Sequence, residues 1–237
     1  GITDTVILLI GVAIFLLFYT VIGGLWAVVI NDFIQLVLAL VGSLLVAVVA
    51  INASGGMHSL LNNIQNLQRP EILSFFPWKF TRNGFQWLDN AGISVATFTS
   101  FIALQWWSFR RSDGGGEFIQ RLLSVKDEGE AQKASWIFLI INYLVRSWLW
   151  ILVALSAIVL IPNQEDWELS YPKLAVQYLP PIALGLVVVS LVAAFMSTVS
   201  TSVNWGSSYL THDLYKRFIR PESDQKELLF VGQIATI

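Results

Sequence analysis

The 237-residue sequence contains no cysteine, and Lys, Arg, Asp and Glu together make up only 13% of it. The first absence excludes disulfides and thiolate metal sites and leaves the compartment open. The second excludes an ordinary soluble domain, in which about a quarter of the residues are charged. The net charge is −2 and the basic residues sit in separate loops, so no continuous patch exists to hold nucleic acid. His58 has no His, Cys or carboxylate at ligand spacing and reads as a surface residue. Gly114, Gly115 and Gly116 are not followed by Gly-Lys-Ser/Thr, which makes them a joint and not a phosphate loop. No hydrolase or kinase constellation is present, so the chain is not expected to be an enzyme. An initiator Met and a signal peptide are absent as well. The chain opens almost directly on an apolar span and stops within LLFVGQIATI, which reads as an interior piece of a longer protein whose remaining helices are its partners.

What is present is apolar length. Hydrophobic residues make up 55% of the chain and the mean hydropathy is +0.65. Charge-free runs extend from Thr5 to Asn31, Phe33 to Gln68, Asn90 to Phe109 and Leu174 to Thr211, and Ala134 to Ile161 contains only Arg146. These predict an all-α membrane protein with five spans, at about 5–29, 33–52, 91–109, 135–161 and 182–211. An amphipathic helix is expected over 115–133, and a structured external loop of mixed Gly, Pro, Asn and aromatic residues after the second span. The loops after spans three and five hold nine basic residues, against four in the other two long loops, which places the former pair in the cytoplasm. The lipid bilayer is thus a partner, and the location is a bacterial-type inner membrane or a plasma membrane.

The most informative stretch is 190–218, SLVAAFMSTVSTSVNWGSSYLTHDLYKRF. At 100° per residue, Ser190, Ala194, Ser197, Thr198, Thr201, Asn204 and Ser208 share one side of a helix, while Val192, Phe195, Val199, Val203 and Leu210 take the other. Small and hydroxylated residues on one face serve close helix packing. They also offer neutral oxygens to a hard cation.

Four stretches resemble the sodium:solute symporter family: FYTVIGGLWAVVINDFIQ at 18–35, GGG with the later QR and KDEGEAQK at 114–133, AAFMST at 193–198 and NWGSSYLTHDLY at 204–215. Asn31 stands where a threonine is usual, and Thr198 where many relatives have serine. The resemblance implies part of a LeuT-type inverted-repeat core, about core helices four to eight and the start of the ninth. It implies sodium bound by the Ala194 carbonyl and the Ser197 and Thr198 hydroxyls, with further ligands from a first core helix outside this sequence. It also implies alternating access around a midplane site.

Two regions keep two readings each. Asp32, at a span boundary, either caps a helix or, with Ser200 and Thr201, forms a second sodium site or an ion exit path. Trp106 and Trp107 belong either to an interfacial aromatic belt or, with Gln105, to the solute pocket, because the resemblance implies an interrupted sixth helix near the substrate. Arg146 lies roughly 20 Å along its helix from Lys133, near mid-membrane, with Asn142 one turn away on the same face. It either locks neighbouring helices or meets solute. The expected function is sodium-coupled symport of a small organic solute, a sugar or sugar acid; the alternative is a ligand-sensing membrane module of a signalling protein.

Overall fold

In the computed structural model, residues 2–67, 70–82, 84–88, 93–108 and 115–237 are described. The chain is mostly helical and packs as two compact units, each assembled from segments distant in sequence.

One unit comprises Gly1–Ser43, Gly116–Ala131 and Pro181–Ile237. Its first element, α1 (Ile2–Ala53), is one long helix broken at Gly24, whose φ of 52° and ψ of −144° are not helical. That backbone belongs to the left-handed half of conformational space, where only glycine is unstrained. The paired glycines thus do break the run, but helix resumes at once, and Asp32 lies well inside the second half of α1 instead of at its start. The helix α4 (Gly116–Leu123) follows, and α5 (Glu128–Leu139) begins after a turn, so the single helix expected over 115–133 is two. The last pieces are α8 (Pro181–Ser208), a wider π-helical segment at Tyr209–Ile219, and α9 (Gln225–Thr236). Asp224 caps α9 by accepting a hydrogen bond from the Glu227 N–H at 2.8 Å.

The interior of this unit is small and polar more than greasy. Ser190, Ala193, Ser200 and Ser207 of α8 are buried, as are Thr20, Val28, Gln35 and Ser43 of α1. Lipid tails are as apolar as leucine, so membrane helices associate through close backbone approach and short hydrogen bonds. A Cβ on Gly42 would collide with Ser190, and Ser207 donates to the Gly232 carbonyl of α9 at 2.7 Å. Large side chains such as Phe18, Trp26 and Ile182 point outward.

The other unit comprises Leu44–Gly115 and Gln132–Pro180. It holds the end of α1, α2 (Met57–Asn66), α3 (Val95–Ser108), most of α5, a second π-helical segment at Ile140–Arg146, α6 (Ser147–Leu160) and α7 (Ser170–Tyr178). Leu60 and Ile64 of α2 are fully buried, and Tyr171 of α7 stacks on Trp150 of α6 with ring centroids 5.1 Å apart. The all-α expectation needs one correction: β1 (Trp78–Thr81) and β2 (Gly84–Trp87) form an antiparallel hairpin. Its register pairs Trp78 with Trp87 and Phe80 with Phe85, so one face is wholly aromatic. The alternation in WKFTRNGFQW, with Asn83-Gly84 just past its centre, is a hairpin signal that a reading for membrane spans passes over.

Among the described residues three helices are long and apolar enough to cross a membrane: Val6–Ala53, Glu128–Leu160 and Pro181–Ile219. The first has 48 residues, roughly 70 Å of helix against a hydrocarbon core of ~30 Å, and its break at Gly24 falls five residues before the expected end of the first span at residue 29. The expected span at 91–109 contains α3, 14 residues long, and its flanks lie partly outside the described residues.

Candidate ion site

The residues around Asp32 form a polar cluster in the first unit. Ser197 Oγ donates to Asp32 Oδ1 at 2.6 Å, and Thr201 Oγ1 lies 3.2 Å from Oδ2. The offset of four residues puts both hydroxyls on successive turns of one α8 face. Arg121 of α4 completes the group. Its Nη2 lies 2.6 Å from Asp32 Oδ2 and donates to Thr201 Oγ1 at 2.8 Å. A second guanidinium nitrogen, Nη1, donates to the Glu117 carbonyl one turn back at 3.1 Å. The side chains of Arg121 and Asp32 are 28% and 20% exposed, so the pair is shielded without being sealed.

Local sequence explains how α4 reaches α8. A Cβ on Gly116 would collide with the indole of Trp205, so the glycine lets the start of α4 lie against α8 and carries Arg121 to Asp32. The helix-cap reading of Asp32 does not hold: Asp32 lies in mid-helix, and its carboxylate meets α8 and α4. The neighbouring Asn31 donates to the Ala27 carbonyl at 3.1 Å.

The other ion-site residues are distributed as follows. Thr198 Oγ1 donates to the Ala194 carbonyl at 3.1 Å, so two of the three oxygens expected for the first sodium site lie against each other on one turn. Ala194 and Thr198 are exposed, whereas Ser200 is fully buried. Ser200 Oγ donates to the Ser197 carbonyl at 3.2 Å and does not reach Asp32. The hydroxyl stripe of α8 therefore splits: Ser190, Ser197, Ser200 and Thr201 turn toward the unit interior, and Ala194 and Thr198 stay open. Among the described residues no group of three or more His, Cys, Asp or Glu could hold a metal ion.

The residues expected to meet solute belong to the other unit. Asn142 and Arg146 both fall within the π-helical segment Ile140–Arg146. Such segments widen the backbone ring and recur at functional sites. Arg146 is exposed, and among the described residues it has no ion-pair partner; the Asn142 carbonyl accepts from Ser147 Oγ at 2.9 Å. Gln105 is exposed on α3, and no hydrogen bond or ion pair among the described residues joins it to Asn142 or Arg146. Trp106 and Trp107 are in α3, and their side chains lie outside the described residues.

Sequence reasoning missed Arg121 as a site residue and counted it only as a cytoplasmic charge. The available signal was its place five residues after a glycine run, on a short amphipathic helix.

The family model of the sodium:solute symporter family matches residues 2–237. A sodium/glucose cotransporter of Vibrio parahaemolyticus is 28% identical, with 97% of this chain and 44% of that protein covered. A sodium/proline symporter of Staphylococcus aureus is 30% identical over 97% of this chain and 42% of its own length. A sodium/myo-inositol cotransporter 2 of Mus musculus is 27% identical over 98% and 37%. The chain thus spans about two-fifths of the length of these relatives. With apolar helices of membrane-spanning length and a match along almost its whole extent, the chain belongs to the sodium:solute symporter family.

Proposed function

We propose that this chain is part of a sodium-coupled symporter that moves a small organic solute across a membrane by alternating access. The observation that carries the reading is the Asp32 carboxylate held against Ser197 and Thr201 of α8, one turn from the Ala194 carbonyl and the Thr198 hydroxyl. Ala194, Ser197 and Thr198 offer neutral oxygens for one sodium ion; Asp32 and Thr201 offer a charged stop beyond it, either a second sodium site or a step on the exit path. Arg121 Nη2 reaches the same carboxylate and hydroxyl. Coupling needs only that sodium favour one of two conformations and that solute bind that one better. The same reading takes the chain as part of a LeuT-type core, in which the site lies at the midplane between repeats.

The relatives' names cover a hexose, a polyol and an amino acid, so family membership alone does not choose the solute. Asn142 and Arg146 in a π-helical turn favour a hydroxyl-rich or anionic solute, a sugar or sugar acid, with Gln105, Trp106 and Trp107 as the further candidate contacts. The test is sodium-dependent uptake by the full-length protein in proteoliposomes. A Ser197→Ala, Thr198→Ala double variant should raise the sodium half-saturation by at least tenfold, the scale of two lost oxygen contacts at about 1–3 kcal/mol each. Unchanged sodium dependence would remove the assignment.

A further inference from the structure

Among the described residues, the unit that holds the Asp32 cluster contains five buried side-chain oxygens without a hydrogen-bond partner: Tyr19 Oη, Gln35 Oε1, Asn204 Oδ1, Thr211 Oγ1 and Ser223 Oγ. Native proteins leave few such groups, and each one invites a specific occupant. Gln35 is the one placed to meet an ion. It is 7% exposed, so its amide is removed from bulk solvent.

Its position follows from two contacts between α1 and α8. Asp32 meets Ser197 and Thr201, while Gly42, ten residues further along α1, abuts Ser190 and Val187. Rising numbers on one helix meet falling numbers on the other, so the two run antiparallel. At 100° per residue Asp32, Gln35 and Gly42 lie within an arc of about 80°, all on the face turned to α8. Interpolation along that face sets Gln35 beside residues 193–197, the turn that carries the Ala194 carbonyl and the Ser197 hydroxyl. An amide carbonyl is a neutral hard oxygen, the donor type that suits an alkali cation.

We propose that Gln35 Oε1 is a cation ligand, carrying sodium between the Ala194–Ser197–Thr198 turn and the Asp32 carboxylate. The proposal rests on the sodium reading above. It adds an oxygen from α1 to a site otherwise read from α8 alone, and it fills the gap between two stops one helical turn apart. The competing account is that some other group of the full-length protein meets this oxygen for packing only.

The experiment compares Gln35→Leu and Gln35→Glu with the Ser197→Ala, Thr198→Ala variant in the full-length protein. Two quantities are read: the sodium half-saturation of uptake at saturating solute, and the sodium-dependent rise in thermal unfolding temperature of purified protein. Gln35→Leu should raise the sodium half-saturation at least about fivefold, leaving the solute half-saturation at saturating sodium within about twofold. Gln35→Glu keeps the oxygen and adds a titratable charge, so its sodium half-saturation should become pH-dependent. If Gln35→Leu leaves sodium half-saturation unchanged while the α8 double variant shifts it, Gln35 is no ligand and the α8 site stands. If Gln35→Leu shifts it and the α8 variant does not, the α8 site fails and Gln35 remains. Should Gln35→Leu not reach the membrane, the Glu variant decides: sodium titration identical to wild type at every pH overturns the proposal.

Discussion

Asp32 is held by one cation and two hydroxyls, and the cation is a side chain. Arg121 Nη2 touches both Asp32 and Thr201, the two groups a passing sodium ion would use. On the proposed sodium reading a tethered guanidinium and a free sodium ion would compete for the same carboxylate, and the two single variants should move in opposite directions. Arg121→Ala should lower the sodium half-saturation several-fold and slow turnover, because the ion loses its rival and leaves more reluctantly. Asp32→Asn should raise the half-saturation and lower the sodium Hill coefficient. Uptake and sodium-binding titrations on the full-length protein would check both, and shifts of the same sign would end the competition argument. The sequence singled out Asp32, Ser197 and Thr201 by residue type and motif. It could not show that Ser197 faces Asp32 while Thr198 bonds back to Ala194, because adjacent residues on a helix differ by 100° and only packing decides which turns inward. Arg121, 89 residues from Asp32, was legible as a charge and not as a partner.

The element that delivers Arg121 is α4, and its first residue sets the approach. Gly116→Ala places a methyl group into the Trp205 indole and should destabilise the protein by about 1–3 kcal/mol, the usual cost of overpacking. Thermal unfolding in detergent reads that loss. A Gly116→Ala, Trp205→Leu variant should recover most of it, and an undisturbed unfolding temperature in the single variant would show that α4 can move aside. Helices were the legible part of this fold, since long charge-free runs admit little else in a bilayer. The π-helical segments at Ile140–Arg146 and Tyr209–Ile219 were not legible, because a π turn alters the hydrogen-bond ring without a change in composition. Two short helices, α2 and α7, were concealed inside stretches that read as loop from their Gly, Pro and Asn content.

At the scale of the whole molecule, the ion cluster belongs to one compact unit and the candidate solute residues to the other. If Arg146 meets solute, Arg146→Gln should raise the solute half-saturation about tenfold or more and leave the sodium half-saturation at saturating solute nearly unchanged, as read by competitive uptake. Equal solute affinity in variant and wild type, with protein present in the membrane, would make Arg146 a packing residue. The wide separation of partners along the chain also bears on how the protein is made. Asp32 enters the bilayer within the first long apolar run, and Arg121 is synthesised 89 residues later. At 5–20 residues per second that interval is about 4–18 s, and Ser197, 165 residues on, takes longer still. A lone acid deep in a nascent span costs about 2.5–3.5 kcal/mol. During biogenesis Asp32 is therefore without these partners until α4 and α8 have been made, so its contacts with Arg121 and Ser197 can form only after most of this sequence has been synthesised.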